Sequence, residues 1–331
     1  MWRAAILVTG LFACASAATA QTKLVIGTVP NGGDGPLLCA MERGYFREQG
    51  LEIDLTPFKT ASDMTPAMVR GDLVMMGGGV SVSFFNSVAQ KMPLRYFVNR
   101  AQAPVWHSIV IRKELAAKVK SAKDLKGLSI ATTAVGGLSE YELGRTLEAA
   151  GLSVDDVDMK PLAMPQSVVA IQTGAVDGAV FVPPFDRAAI NGGGVHLVYA
   201  DEGVTPRMEV SGLFYNTDWA AKNRDTLDKF TLAYIRGARC YLEAAHNGPN
   251  RDEMIGYFLK YSPVKDRSVF ADTRWQDVNP DGRIMIDSLL DQQDFYIRRG
   301  YLKEKQPASA LVDEGPVLRA LEKLGAYAGA K

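Results

Sequence analysis

The sequence predicts an α/β protein of two lobes, and three observations predict it. An apolar strand runs through a glycine loop into a helix within residues 23–55. The same helix, glycine, strand turn recurs once in each half. A chain of 331 residues with 47% apolar content is also longer than one core usually accommodates.

Residues 24–29 form the first apolar strand, followed by the loop Asn31, Gly32, Gly33, Asp34 and Gly35. Pro36 opens the helix, a position that suits proline because its missing N–H has no partner there anyway. A glycine loop on a helix N-terminus presents free backbone N–H groups and the positive end of the dipole to polar or anionic ligand atoms. Residues 51–55 supply the second strand after the turn at Gly50. Taken alone, this unit is equally a generic crossover between parallel strands.

The recurring turn reads AMVRGDLVMM at 67–76 and AIQTGAVDGA at 170–179. Each is a helix end, a glycine and an apolar strand, followed by a distinctive loop: GGGVSVS from Gly77 and VPPFDR from Val182. Ligands of open α/β sheets bind at the carboxyl ends of strands, so these loops are candidate walls of a site. Between them, residues 81–90 read as a helix, and 94–99 and 109–111 as strands. The strand 128–131 opens onto a loop at 132–139 rich in glycine and hydroxyls, a helix to about residue 150, and a strand at 159–162. Ser139 is either a helix cap or a ligand contact. From Thr226 the pattern becomes helical, with Leu227, Phe230, Tyr234, Ala238 and Tyr241 on one stripe. Stripes of this kind are core, and these helices are expected to cap the first lobe.

Residues 1–20 carry one cation, Arg3, then an apolar run and small residues ending at Ala20. That is the layout of a cleaved secretory signal peptide, too short to span a membrane as a helix. A lipoprotein box ending at Cys14 ranks second, because Phe12 is bulkier than such boxes carry. The 37 Lys+Arg balance 37 Asp+Glu, so no basic field exists for nucleic acid. Cys39 and Cys240 are expected to remain separate buried thiols, since each lies in an apolar helical setting. His107, His196 and His246 are scattered without metal-ligand spacing, so neither a metal nor a cofactor is expected.

The ordered segments VIGTVPNGGDGPLLCAMERGYFREQGLEIDL, RGDLVMMGGG, KSAKDLKGLSIATTAVGG, IQTGAVDGAVFVPPF and LVDEGPVLRALEKLG resemble the periplasmic solute-binding proteins of ABC importers. More narrowly they resemble the NMT1/THI5-like branch, which includes sulfonate, taurine, nitrate and pyrimidine-precursor binders. The resemblance covers essentially the whole mature chain. It implies a type II "Venus flytrap" of two α/β lobes that the chain crosses twice, closing by a hinge on a ligand held between them. The crossings are expected near Arg112 and Gly212. They give one lobe of residues 23–111 plus 213–331 and a second of 112–212. It implies no catalytic residue, a small-molecule ligand, the permease subunits of an ABC importer as partner, a periplasmic location and a monomer.

By position, the resemblance places Asn31, Gly33, Asp34, Thr60, Ser62, Gly79 and Ser81 on the first wall. Thr133, Gly137, Leu138, Ser139, Pro184 and Phe185 form the second, with Trp106 and His107 as a floor. Val74 stands where the family usually carries an aspartate, whereas Asp177 keeps that position in the second lobe. The loops offer the carboxylates Asp34, Glu140 and Asp186, with only Lys59 and Arg187 as evident counter-charges. A carboxylate facing an anion in a closed cleft is costly. A neutral, zwitterionic or weakly charged organic solute is therefore expected over sulfonate or nitrate, with a flat part stacked on Phe185 or Trp106. Two other readings stand: a pyrimidine-synthase-like enzyme of the same fold, although its cysteine-rich motif is missing, and a binding protein serving a sensor or a non-ABC transporter.

Overall fold

The computed structural model describes residues 21–200 and 207–329. The expected signal peptide and Cys14 lie outside the described residues. The first lobe begins with strands β1 (Thr22–Thr28), β2 (Leu51–Pro57), β3 (Met75–Gly79) and β4 (Leu94–Gln102). The second carries β5 (Ser108–Arg112), β6 (Ser129–Thr132), β7 (Asp158–Pro161), β8 (Gly178–Phe181) and β9 (Gly194–Tyr199). The chain then returns with β10 (Glu209–Asn216). The sheet orders are β2-β1-β3-β10-β4 and β7-β6-β8-β5-β9.

Both sheets are mixed. β1 runs parallel to β2 and β3, whereas β10 is antiparallel to β3 and β4. β6 runs parallel to β7 and β8, whereas β5 is antiparallel to β8 and β9. Every residue of β10 is buried, as expected of a strand covered on both faces. The recurring turn behaves alike in both halves: Gly71 (φ +84) and Gly174 (φ +71) end their helices in the left-handed region. There a side chain would be strained, and the chain is redirected into β3 and β8.

The crossings fall a few residues earlier than the sequence suggests. Ile109, Val110 and Ile111 pair with β8 and β9, so the chain leaves the first sheet after Gln102. It returns at Glu209, and Gly212 already sits within the first sheet opposite Asn99. Three apolar residues in a row fit the middle of either sheet, so pattern alone cannot assign them. Gly212 marks no hinge; the Tyr96 ring occupies the space where its side chain would be. Asp177 accepts hydrogen bonds from Ser129 N–H and Arg112 Nε, both at 2.9 Å. It ties β6 and β5 to the β8 turn, the structural role that Val74 shows the first lobe can do without.

The C-terminal helices do two jobs. Arg224–Ala245 packs on the helix Gly35–Glu42 of the first lobe, burying Phe230, Ala233 and Tyr234 against Leu37, Ala40 and Phe46. The helix Ile286–Arg298 instead reaches the second lobe. Tyr141 Oη donates to Asp291 at 2.6 Å, Tyr296 Oη donates to the Gly137 carbonyl at 3.0 Å, and Arg299 binds Asp155 at 2.8 Å. The cap expected on one lobe is therefore partly a strut between two. Its stripe of Leu289 and Phe295 packs in one cluster with Tyr141 and Val154.

Cys39 and Cys240 form a disulfide, Cα–Cα 6.4 Å, contrary to the expectation of free thiols. Their apolar settings are the two faces of one helix pair, and burial of each side chain is what brings the sulfurs together. A chain that begins after residue 20 should show no free thiol to a thiol reagent. Cys39→Ser should lower stability to urea by roughly 3–5 kcal/mol, because the bond closes a long loop.

Glu209 is fully buried at the return crossing, where burial pushes its carboxyl up to about 7 against the bonds from Tyr96, Met285 N–H and Asn99. Tyr96 has a single proton, and its hydroxyl lies 2.9 Å from the Ser211 carbonyl. A protonated Glu209 can in turn donate to Tyr96 Oη. The folded chain then binds a proton that the unfolded chain releases near pH 4.5. Stability should consequently fall as pH rises from about 4.5 to 7, by up to about 3 kcal/mol. Urea unfolding at several pH values should show this slope in the wild type and lose it in Glu209→Gln.

Candidate ligand-binding cleft

The carboxyl ends of both sheets face a cleft of about 90 Å³ between the lobes, room for several waters or one small solute. The loop after β1 brings Val29 and Asn31 to it; the loop after β2 brings Lys59, Thr60 and Ser62. β3 contributes Gly79, and Ser81 follows at the start of the helix Val82–Ala89. From the second lobe come Thr133, Gly137, Leu138 and Ser139. Behind these lie Arg100, Ser211, His107, Glu142 and Gln276. Thr60 Oγ1 accepts from Asp63 N–H at 3.2 Å and caps the helix Ala61–Arg70. Ser139 Oγ accepts from Thr133 N–H at 2.8 Å. It fastens the loop to the helix Leu138–Ala149 while lining the cleft.

Ten of the expected positions come together here: Asn31, Thr60, Ser62, Gly79, Ser81, His107, Thr133, Gly137, Leu138 and Ser139. Five do not line it. Gly33 is buried behind Asn31, whose Oδ1 accepts its N–H at 2.8 Å. Asp34 points to a separate void beside Thr28 and Leu38. Trp106 packs on Tyr199, with the Arg274 guanidinium 4.3 Å from its ring centre. Pro184 borders another small void with Trp275, and Phe185 is buried among Val110, Phe181 and Ala189. Among the described residues no Phe, Tyr or Trp lines the cleft, so neither Phe185 nor Trp106 offers the expected stacking surface there.

The charge argument also changes. Arg100 from β4 lies 2.6 Å from Asp34 Oδ1, with side-chain exposures of 2% and 6%, and Thr28 Oγ1 donates to the same oxygen at 2.5 Å. Asp34 is therefore a compensated carboxylate, and the reason for disfavouring a compact anion loses its basis. Glu140 accepts from Gly136 N–H at 2.7 Å, Arg299 at 3.2 Å and Tyr301 at 3.1 Å. Asp186 is 5% exposed. Burial raises its pKa, against the Arg187 N–H, the Arg187 charge and His107.

The lobes touch across the mouth. Gly32 N–H donates to the Pro183 carbonyl at 3.2 Å, and Val82 N–H donates to the Gly136 carbonyl at 2.9 Å. These bonds join a loop of one lobe to a loop of the other, so the conformation is a closed one. Arg100, Glu142, Ser211 and Gln276 are cleft residues that sequence reasoning missed. Arg100 carried one usable signal: a cation well inside the strand Leu94–Gln102, past the apolar run Tyr96, Phe97 and Val98, needs a buried partner.

Residues 17–256 match the NMT1-like family. The chain belongs to that family. Among curated members it is similar to the taurine-binding periplasmic protein of Escherichia coli K12, 22% identical over 225 residues that make up 68% of either chain. Among solved structures, the periplasmic nitrate-binding protein NrtA from Synechocystis PCC 6803 shares its fold with a TM-score of 0.77. That match has 15% identity and covers 92% of this chain and 89% of that one. The desulfurization enzyme DszB also shares the fold, with a TM-score of 0.67, 15% identity, and coverage of 92% and 100%. The frame described above is thus that of solved periplasmic binding proteins. Among the described residues, no helix is long and apolar enough to cross a membrane.

Arg100→Met would leave Asp34 buried without its counter-charge, with Thr28 still donating to it, and should cost about 3–5 kcal/mol in urea unfolding. The double variant Asp34→Leu/Arg100→Met should lose less than Arg100→Met alone, which would separate the charge effect from lost packing.

Proposed function

We propose that the mature chain is the extracytoplasmic solute-binding component of an ABC importer. It captures a small polar organic solute between its lobes as a monomer, by hinge closure, and delivers it to a membrane permease. The observation that carries this reading is the cleft itself: loops from two separate sheets converge on one small cavity, where hydroxyls and a few charged side chains stand among apolar ones. Backbone hydrogen bonds join the two lobes across its mouth. Membership of the NMT1-like family and similarity to a taurine-binding periplasmic protein support it. The signal-like residues 1–20 support export to the periplasm.

An enzymatic reading has a precedent of fold in DszB, and His107 beside Glu142 could move a proton. The cleft hydroxyl of Ser139 is already bonded to Thr133, and among the described residues of the cleft lining no activated nucleophile stands with the histidine. Native mass spectrometry of protein purified from its own host distinguishes the readings. One solute per chain, released unchanged on denaturation, is the expected result; turnover of that solute would make the protein an enzyme.

A further inference from the structure

Among the described residues Glu142 is the one carboxylate of the cleft lining, and its side chain is 1% exposed. Oε1 lies 2.5 Å from His107 Nδ1, and Gln276 Nε2 stands 3.1 Å from the other ring nitrogen. Oε2 is buried and, among the described residues, has no hydrogen-bond partner. Burying a carboxylate oxygen without a donor is costly, and the neighbouring carboxylates show how the chain normally avoids it. Asp34 receives Arg100 and Thr28; Glu140 receives Gly136 N–H, Arg299 and Tyr301. The Arg100 charge is already balanced by Asp34, so it does not serve Glu142.

The opposite wall has the complementary character. Lys59 stands there with the hydroxyls of Thr60, Ser62 and Ser81. The helices Ala61–Arg70 and Val82–Ala89 begin at that wall and present their positive ends to it. The helix Leu138–Ala149 also begins at the cleft, on the second lobe, so donors surround the cavity and Glu142 is the one anionic acceptor among the described residues that line it.

We infer that Glu142 Oε2 accepts a hydrogen bond from the ammonium group of the bound solute, whose acidic end faces Lys59 and the first-lobe hydroxyls. The solute class is a small zwitterion with an amine at one end and a carboxylate or sulfonate at the other. This rests on the solute-binding reading above and names its substrate class. Glu142 sets specificity, since a solute lacking the amine leaves the carboxylate oxygen unsatisfied.

Matched probes test it by calorimetry on the full mature chain: β-alanine against propionate, and 3-aminopropanesulfonate against propanesulfonate. The amine member of at least one pair should bind about tenfold tighter or more. Glu142→Gln should lose about tenfold or more on that member, with little change for its partner. Discrimination between the pairs in the wild type supports the inference even if the variant folds poorly. Equal or tighter binding of the amine-free members overturns it while leaving the solute-binding reading intact. Unchanged amine preference in a folded Glu142→Gln overturns the role of Glu142. Binding of none of the four probes overturns the solute class, whereas the solute-binding reading fails only if native mass spectrometry finds no retained solute.

Discussion

The first wall of the cleft is held by a single guanidinium. Arg100 projects from β4 and collects Asp34 Oδ1 at 2.6 Å, the Val29 carbonyl and Ser211 Oγ at 3.3 Å, and Asn31 Oδ1 at 3.4 Å. Three segments distant in sequence, the loop after β1, β4 and β10, are thereby fixed to one planar group. Buried ion pairs seldom add much net stability, because desolvation offsets their attraction. What this one contributes is geometry. Without it the glycine loop would keep its anchor in β1 but lose the contact that sets its position over the cavity.

The two sides of the interlobe contact differ in kind. On one side the helix Ile286–Arg298 buries aromatic surface against the second lobe, with Tyr141 and Phe295 rings 5.3 Å apart at 88°. At the mouth two neutral backbone hydrogen bonds join the lobes, each worth about 1 kcal/mol net. The two meet at one loop: the Gly136 carbonyl accepts from Val82 N–H and the Gly137 carbonyl from Tyr296 Oη. The strut therefore fastens the same loop that closes one end of the mouth, whereas the Gly32–Pro183 bond is made by a different pair of loops.

Much of this frame is legible in the sequence because it obeys local rules. Strand periodicity marks β1, β2, β4 and β6, and the glycines at 71 and 174 mark the turns that aim loops at the cleft. Ten of the expected site positions line the cleft, and it is the family resemblance that placed them, on the loops after β1, β2, β3 and β6 and, for His107, just ahead of β5. What escapes local reading depends on pairing at a distance. Arg100 and Asp34 are 66 residues apart, and nothing in either neighbourhood names the other. Glu142 looks like any acidic residue on a helix until His107 is brought beside it. Phe185 and Trp106 failed as stacking surfaces for a related reason: an aromatic ring next to a loop is equally well satisfied by the core or by a cation. The disulfide escaped because burial was read as an alternative to bonding, whereas in the packed helix pair the two coincide.

β10 lies between β3 and β4, yet it follows the entire second lobe in the chain. The second sheet, by contrast, is built from one continuous stretch, β5 to β9. During synthesis the N-terminal strands emerge first but lack the strand that joins β3 to β4. The middle of the protein can therefore become compact before either end does. The first lobe is completed last, when residues 209–216 insert and the C-terminal helices close over Gly35–Glu42. For as long as that strand is missing, β3 and β4 expose unpaired edges. The topology that gives the molecule its two crossings also sets the order in which it must be assembled.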